Sequence, residues 1–171
     1  MTLLLAGTRV TLRPIRPDEL ELFWRSRGGK VSKERCLERI GRSGRFVQGV
    51  LDLGIEAEGR LVGDVGARRP VNAFPPGVVE IGIDLFEERD RGRRFGREAV
   101  ALLTDHLLAS GLADRVQGST AVDNAAMRRV FEHLGFTLEG VMRGFMPGPE
   151  GRLDYALYAV LRAEWPPSAG V

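Results

Sequence analysis

Between positions 88 and 99 the chain reads Glu88-Arg89-Asp90-Arg91-Gly92-Arg93-Arg94-Phe95-Gly96-Arg97-Glu98-Ala99. Two glycines in such a stretch let backbone amides turn inward and approach a ligand closely. Just downstream, Ala99, Leu102, Leu103 and Leu107 fall on one face of a helix that Gly111 stops. A helix N-terminus behind a glycine-containing loop carries about half a positive charge and unpaired N–H groups, so it attracts phosphate. With arginines throughout, the segment has the chemistry of a pyrophosphate cradle. No Gly-Lys-Ser/Thr follows, so it is not a P-loop. The Gly-x-Gly-x-x-Gly spacing of a dinucleotide fingerprint is also absent. Read alone, the stretch suits a solvated charge run with a turn glycine equally well.

Other reactive side chains point to less. No His, Cys and carboxylate spacing suggests a metal, and no Gly-x-Ser-x-Gly elbow suggests a serine hydrolase. Cys36 sits in a short helical stretch with no base beside it and reads as inert. His106 lies mid-helix, and His133 sits at a helix end where a cation suits the dipole; both read as structural.

Composition narrows the class. In 171 residues, 43% hydrophobic and 28% charged, there is material for one soluble domain with a normal core. No apolar run approaches the ~20 residues that span a bilayer. The opening Met1-Thr2-Leu3-Leu4-Leu5-Ala6-Gly7 is too short for a secretory core and lacks a basic leader. A single cysteine allows no internal disulfide and suits a reducing cytoplasm. The 25 basic residues, of which only Lys30 and Lys33 are lysine, are nearly matched by 23 acidic ones. Nucleic-acid binding needs a basic stripe with aromatics or a known module, so no nucleic-acid or membrane partner is expected.

The elements that must position the cradle follow from periodicity. Arg9 to Arg13 alternates and stops at Pro14 as a first strand. Asp18 caps a helical stretch over Glu19 to Arg27, ended by Gly28-Gly29, and Ser32 opens another to Ile40, closed by Gly41. Val47 to Ala57 and Arg60 to Ala67 form a hairpin about Glu58-Gly59. After a loop from Pro70 to Gly77 comes a strand over Val78 to Leu85. The helix Gly96 to Ser110 leads to a strand over Val116 to Val122. Asp123 or Asn124 then caps a helix ending Leu134-Gly135-Phe136. Strands over Leu138 to Phe145 and Asp154 to Leu161 close the chain across a loop of Pro147 to Gly151. The order is β-α-α-β-β-β-α-β-α-β-β, an α/β domain over residues 1–165 with a mixed sheet flanked by helices. Residues 166–171 read as a frayed tail.

On these residues the chain resembles the GNAT superfamily of acetyltransferases, and within it the ribosomal-protein alanine N-acetyltransferase (RimJ/RimL) type. The opening Thr8-Arg9-Val10-Thr11-Leu12-Arg13-Pro14 is similar to that type's first strand. Glu80 to Phe86 with Arg91 to Ala99 is similar to its acyl-CoA segment. Asp123 to Phe136 resembles its second motif. Glu139 to Arg143, Asp154, Leu157-Tyr158 and Leu161 to Trp165 resemble its C-terminal part. Four such motifs in the right order cover nearly the whole chain. Two positions depart. Arg94 stands where the family's loop places glycine, and a non-glycine there must avoid positive φ or carry strain. Met127 stands where the family often has serine, and it cannot donate a proton.

The resemblance implies a GNAT fold with a mostly antiparallel sheet, and acetyl-CoA as co-substrate without a metal. The strand Ile83 to Phe86 would splay from Val116 to Val122. Pantetheine would enter the gap against the backbone of Leu85 and Phe86. Arg91, Gly92, Arg93, Arg94, Phe95, Gly96 and Arg97 would hold the pyrophosphate, and Asn124, also a helix cap, would reach the pantetheine arm. The reaction would be direct attack of a neutral primary amine on the thioester, within a ternary complex. Glu80, beside the acyl position, is the first candidate base. Asp84, of the same strand parity, is the second. Tyr158 is the candidate proton donor to the departing thiolate, although a thiol near pKa ~8.5 can leave without one. The acceptor, a protein N-terminus or a small amine, would meet Trp24 and Arg25, with Arg27 nearby. A homodimer would follow family habit. The alternative is a GNAT-fold module that holds acyl-CoA without turnover.

Overall fold

Strand pairing follows the alternation in the sequence. The protein, seen as a computed structural model, is described here over residues 2–69 and 74–166. Its strands are β1 (Leu5–Ala6), β2 (Val10–Arg13), β3 (Val50–Ala57), β4 (Arg60–Arg68), β5 (Val78–Leu85), β6 (Arg115–Ala121), β7 (Thr137–Gly148) and β8 (Gly151–Leu161). They form one sheet in the order β1-β2-β3-β4-β5-β6-β8-β7. Every pairing is antiparallel except β5 with β6.

The helices are α1 (Leu20–Arg25), α2 (Lys33–Arg42), α3 (Phe95–Ala109) and α4 (Ala125–His133). Along β3, Leu51, Leu53 and Ile55 are buried in one cluster with Val100, Leu103 and Leu107 of α3 and Phe131 of α4. The alternate positions face the other side of the sheet. There Ile15, Phe23, Cys36, Ile40 and Leu61 form a smaller core with α1 and α2. Cys36 is fully buried, so its thiol is shielded from reagents.

The hairpin turn lies at Glu58-Gly59, both at positive φ (53° and 75°), the pairing of left-handed residues that a two-residue hairpin turn needs. Ser32 caps α2 by accepting the Arg35 N–H, and Asn124 caps α4 by accepting the Met127 N–H.

Several expected boundaries move, each for a local reason. The two-residue strand β1 precedes the first expected one. Asp18 is not a cap: a 3-10 turn over Pro17–Glu19 begins at Arg16, whose N–H donates to the Glu19 carboxylate. Pro17, with φ already set, starts that turn one residue earlier. Gly41 lies inside α2, which runs on to Arg42. Ser43 then turns the chain, its hydroxyl donating to the Ile40 carbonyl and accepting the Ile15 N–H. β7 and β8 extend through the expected loop to a turn at Pro149-Glu150. Pro147 is tolerated because β7 is the sheet edge. Residues 70–73 of the expected Pro70 to Gly77 loop, and residues 167–171 of the expected tail, lie outside the described residues.

Candidate active site

The parallel strands part company after three rungs. β5 pairs β6 only from Val78↔Arg115 to Glu80↔Gln117, although the two continue to Leu85 and Ala121. Gly118 follows the last rung, and a Cβ there would lie 2.7 Å from the Phe131 ring. Only a bare backbone lets that ring pack so closely beside the opening strands. From this point a cavity of about 710 Å³ runs between β5, β6, α3 and α4.

Hydrogen-bond parity decides which β5 groups face the gap. The Phe86 N–H donates to the Val62 carbonyl on β4. Successive residues of a strand alternate sides, so the Leu85 N–H points the other way, toward the gap. Phe86 itself does not line the cavity. Its ring packs against Phe23, 6.2 Å between centroids, and its N–H is committed to the sheet.

Beyond Leu85 the chain makes a 3-10 turn (Glu88–Asp90) and enters the loop. Asp90 is fully buried, and both its oxygens are held by the Arg60 guanidinium at 2.9 and 2.5 Å. Those bonds hold the Asp90 carboxyl below the usual aspartate range, against the opposite pull of burial. Gly92 has φ 70°, and Arg94 takes φ 69°, ψ 1°, the left-handed conformation. Arg94 therefore occupies the glycine geometry rather than avoiding it. It also leaves α3 without a side-chain cap. The Glu98 N–H is the first to bond within the helix, to the Arg94 carbonyl. The N–H groups of Phe95, Gly96 and Arg97 emerge from the helix end with no acceptor among the described residues. Gly96 packs against Ile83 and Leu85. The buried Glu98 carboxylate accepts the Arg9 N–H at 2.8 Å, tying the start of α3 to β2.

The structure brings together Asp84, Leu85, Arg91, Gly92, Arg94, Phe95, Gly96, Arg97 and Asn124 around this cavity. It does not bring Arg93, whose guanidinium turns back to Glu58 and lies 4.7 Å from the Phe95 ring centroid. It does not bring Glu80. That carboxylate is held by Arg68, its cross-strand partner on β4. Tyr158 is fully buried behind Phe131, stacked on it at 5.2 Å. Its hydroxyl donates to Glu132 at 2.8 Å and accepts from Arg128 at 3.1 Å, which ties β8 to α4. Trp24 donates to the Val31 carbonyl and carries Lys33 over its ring, while Arg25 pairs with Glu21 at the surface. Neither lines the cavity.

From that same stretch it is Arg27 that reaches inward. Its guanidinium bonds the buried Asp64 on β4, lies 3.9 Å from Asp84, and rests on Phe23 with 4.5 Å to the ring centroid. Asp64 lay within a predicted strand and nothing in its local pattern marked it. Ser119, Thr120, Arg129 and His133 also line the cavity. Strand parity flags the first two only once β5 and β6 are known to part. Asp84 projects from the face of the sheet opposite α3, so the cavity passes through the sheet rather than lying on one side of it.

Against known proteins, residues 9–137 match the model of the acetyltransferase (GNAT) domain. No curated protein sequence matches the chain. Among solved structures, Mycobacterium smegmatis RimJ in complex with a CoA disulfide superposes with a TM-score of 0.78 at 22% identity, covering 98% of this chain and 88% of that one. RimL, a ribosomal alpha-N-protein acetyltransferase in complex with coenzyme A, gives 0.77 at 17%, covering 93% and 98%. The microcin self-immunity acetyltransferase MccE, in complex with acetyl-CoA and AMP, gives 0.74 at 20%, covering 91% and 93%. The eight-stranded mixed sheet flanked by four helices is the fold these proteins share. The match over most of the length, with a parted β5–β6 pair and an open helix start behind it, places the chain in the GNAT family of N-acetyltransferases, enzymes whose co-substrate is acetyl-CoA.

Proposed function

We propose that the chain transfers acetyl from acetyl-CoA to a primary amine by direct attack within a ternary complex. The observation that carries this reading is a single cavity with an anion-accepting end and a carboxylate end on opposite faces of the sheet. At the first end the N–H groups of Phe95, Gly96 and Arg97, without an acceptor among the described residues, suit a pyrophosphate. At the second, Asp84 is half-exposed and lines the cavity.

Acetyl-CoA supplies a thioester, whose carbonyl carbon is open to a free amine. An aliphatic amine is mostly protonated at neutral pH. The Asp84 carboxylate takes that proton, directly or through water, and so frees the lone pair for attack. The Leu85 N–H, directed into the gap, suits the negative charge that develops on the carbonyl oxygen. Asn124 stands at the mouth of the parted strands as both α4 cap and a wall of the cavity. No acid is assigned to the leaving thiolate, since Tyr158 lies behind Phe131. The buried lone thiol suits a reducing cytoplasm.

The test is thiol release from acetyl-CoA in the presence of amines. Peptides with free N-termini head the panel, because RimL acts on a ribosomal protein; polyamines and aminoglycosides follow. Release that depends on both substrates and falls in the Asp84→Asn variant supports the reading. Tight acetyl-CoA binding with no release for any amine points instead to a module that holds acyl-CoA without turnover.

A further inference from the structure

Most arginines in the chain are spent on carboxylates. Arg13, Arg16, Arg25, Arg27, Arg39, Arg42, Arg60, Arg68, Arg89, Arg93, Arg115 and Arg162 all form ion pairs. Arg91, Arg94, Arg97 and Arg129 form none among the described residues, and all four line the cavity. The two acidic residues that line it do not balance them. Asp90 is held by Arg60, and Asp84 stands at the far end.

Charge counting then asks for more than a pyrophosphate. A pyrophosphate diester carries two negative charges, and the open α3 terminus with Arg91 and Arg94 on its loop already answers them. Arg97 and Arg129 remain. They sit together with His133 on the wall where α3 begins and α4 ends. An Arg97 Nη donates to His133 Nε2 at 2.8 Å. Arg129 lies one turn back along the same face of α4. The nine residues of α4 span about 13 Å, with the Asn124 cap at the parted strands and His133 against the start of α3. A chain that runs from the gap along this face therefore ends beside two guanidinium groups that have no carboxylate partner among the described residues, Arg97 bonding His133 and Arg129 the Ala125 carbonyl.

We infer that Arg97 and Arg129 form a site for a phosphomonoester dianion, the 3′-phosphate of the co-substrate's adenosine, and so select CoA thioesters over their dephospho forms. The inference rests on the acyl-CoA reading of this cavity and adds to it a discriminating end. A monoester carries close to two negative charges at neutral pH, and guanidinium forks bind it in paired hydrogen bonds. Nothing in the transfer step touches this phosphate, so its recognition is a matter of binding alone.

The experiment is calorimetric titration of the full chain with CoA and with dephospho-CoA. Wild type, the Arg97→Gln/Arg129→Gln double variant and an Arg45→Gln control outside the cavity are compared, with folding checked by circular dichroism. Wild type and control are expected to bind CoA at least about tenfold more tightly than dephospho-CoA. In the double variant the ratio falls toward one, while dephospho-CoA affinity stays within about threefold of wild type. The salt slope of CoA binding becomes shallower. Equal affinity for the two ligands in wild type, or an unchanged ratio in the double variant, overturns the inference and leaves the acyl-CoA reading standing. Failure of folded wild type to bind either ligand overturns both.

Discussion

Asp64 and Asp84 face each other across one rung of β4 and β5, and the Arg27 guanidinium reaches both. Burial pushes the Asp64 carboxyl up, against the pull of Arg27 and Arg39. Asp84 is open to the cavity, with about half of its side chain exposed. The two carboxylates thus divide into a buried anchor and a half-exposed group that lines the cavity and touches Arg27 only at its edge. Replacement of Asp84 by Asn is expected to lower acetyl transfer by roughly 10²–10⁴-fold while acetyl-CoA affinity changes by less than about twofold. Glu80→Gln, whose carboxylate is held by Arg68, should stay within about threefold of wild type. Steady-state thiol release and calorimetry on both variants check this; a silent Asp84→Asn with a crippled Glu80→Gln would reverse the assignment.

Arg94 carries a left-handed backbone that a residue with a Cβ adopts at a cost of about 1 kcal/mol. Arg94→Gly removes that strain and also removes a guanidinium from the cavity. The melting temperature is expected to rise by a few degrees, partly offset by the freedom glycine gains when unfolded. CoA affinity is expected to fall about five- to tenfold. Thermal unfolding and titration of the same preparation separate the two effects, which here run in opposite directions.

Tyr158 is packed on Phe131 and hydrogen-bonded to Arg128 and Glu132, so its hydroxyl is expected to matter for stability rather than for proton donation. The Tyr158→Phe variant keeps the stack on Phe131 and loses the bonds to Arg128 and Glu132. Stability should drop by about 1 kcal/mol, with turnover retained to within about threefold. A turnover loss of a hundredfold in a folded protein would restore the hydroxyl to the chemistry.

The Asp90–Arg60 pair braces the start of the loop from Arg91 to Gly96. Asp90→Asn leaves a guanidinium without its charge partner and is expected to cost roughly 2–3 kcal/mol, below the range for a fully buried pair because Arg60 is a third exposed. It should also weaken CoA binding by loosening the loop. The folded-state carboxyl titrates below its ordinary value. Its contribution is therefore fully present above the usual aspartate pKa of about 3.9 and is lost as pH falls through the lowered value. Melting curves between pH 2.5 and 5 check the sign: wild type should lose more stability on acidification than Asp90→Asn.

Much of this protein is written locally. Ser32 and Asn124 read as caps because their short acceptors reach N–H groups three residues on, and both cap as expected. Glu58-Gly59 reads as a hairpin turn and is one. The loop from Arg91 to Gly96 reads as a phosphate cradle at a helix start, since the two glycines and the helical period beyond them are contiguous. At Asp18 the structure departs from the local pattern through a short contact that no residue type marks, the Glu19 carboxylate accepting the Arg16 N–H.

The partners of the charged side chains were not legible, because each is set by register between distant segments. Glu80 and Asp84 share strand parity and look equivalent along the chain. Only the pairing Arg68↔Glu80 occupies the first carboxylate, and only the parting of β5 from β6 after Gln117 opens the cavity to the second. In the same way Phe131 screens Tyr158, and Arg27 rather than Trp24 or Arg25 reaches the sheet. The sequence by itself determined most of the elements, the Ser32 and Asn124 caps and the two-glycine loop before α3, since those depend on neighbours within a turn. The tertiary structure decided which carboxylate lines the cavity and which arginines lack a carboxylate partner. Those outcomes depend on which strands lie side by side.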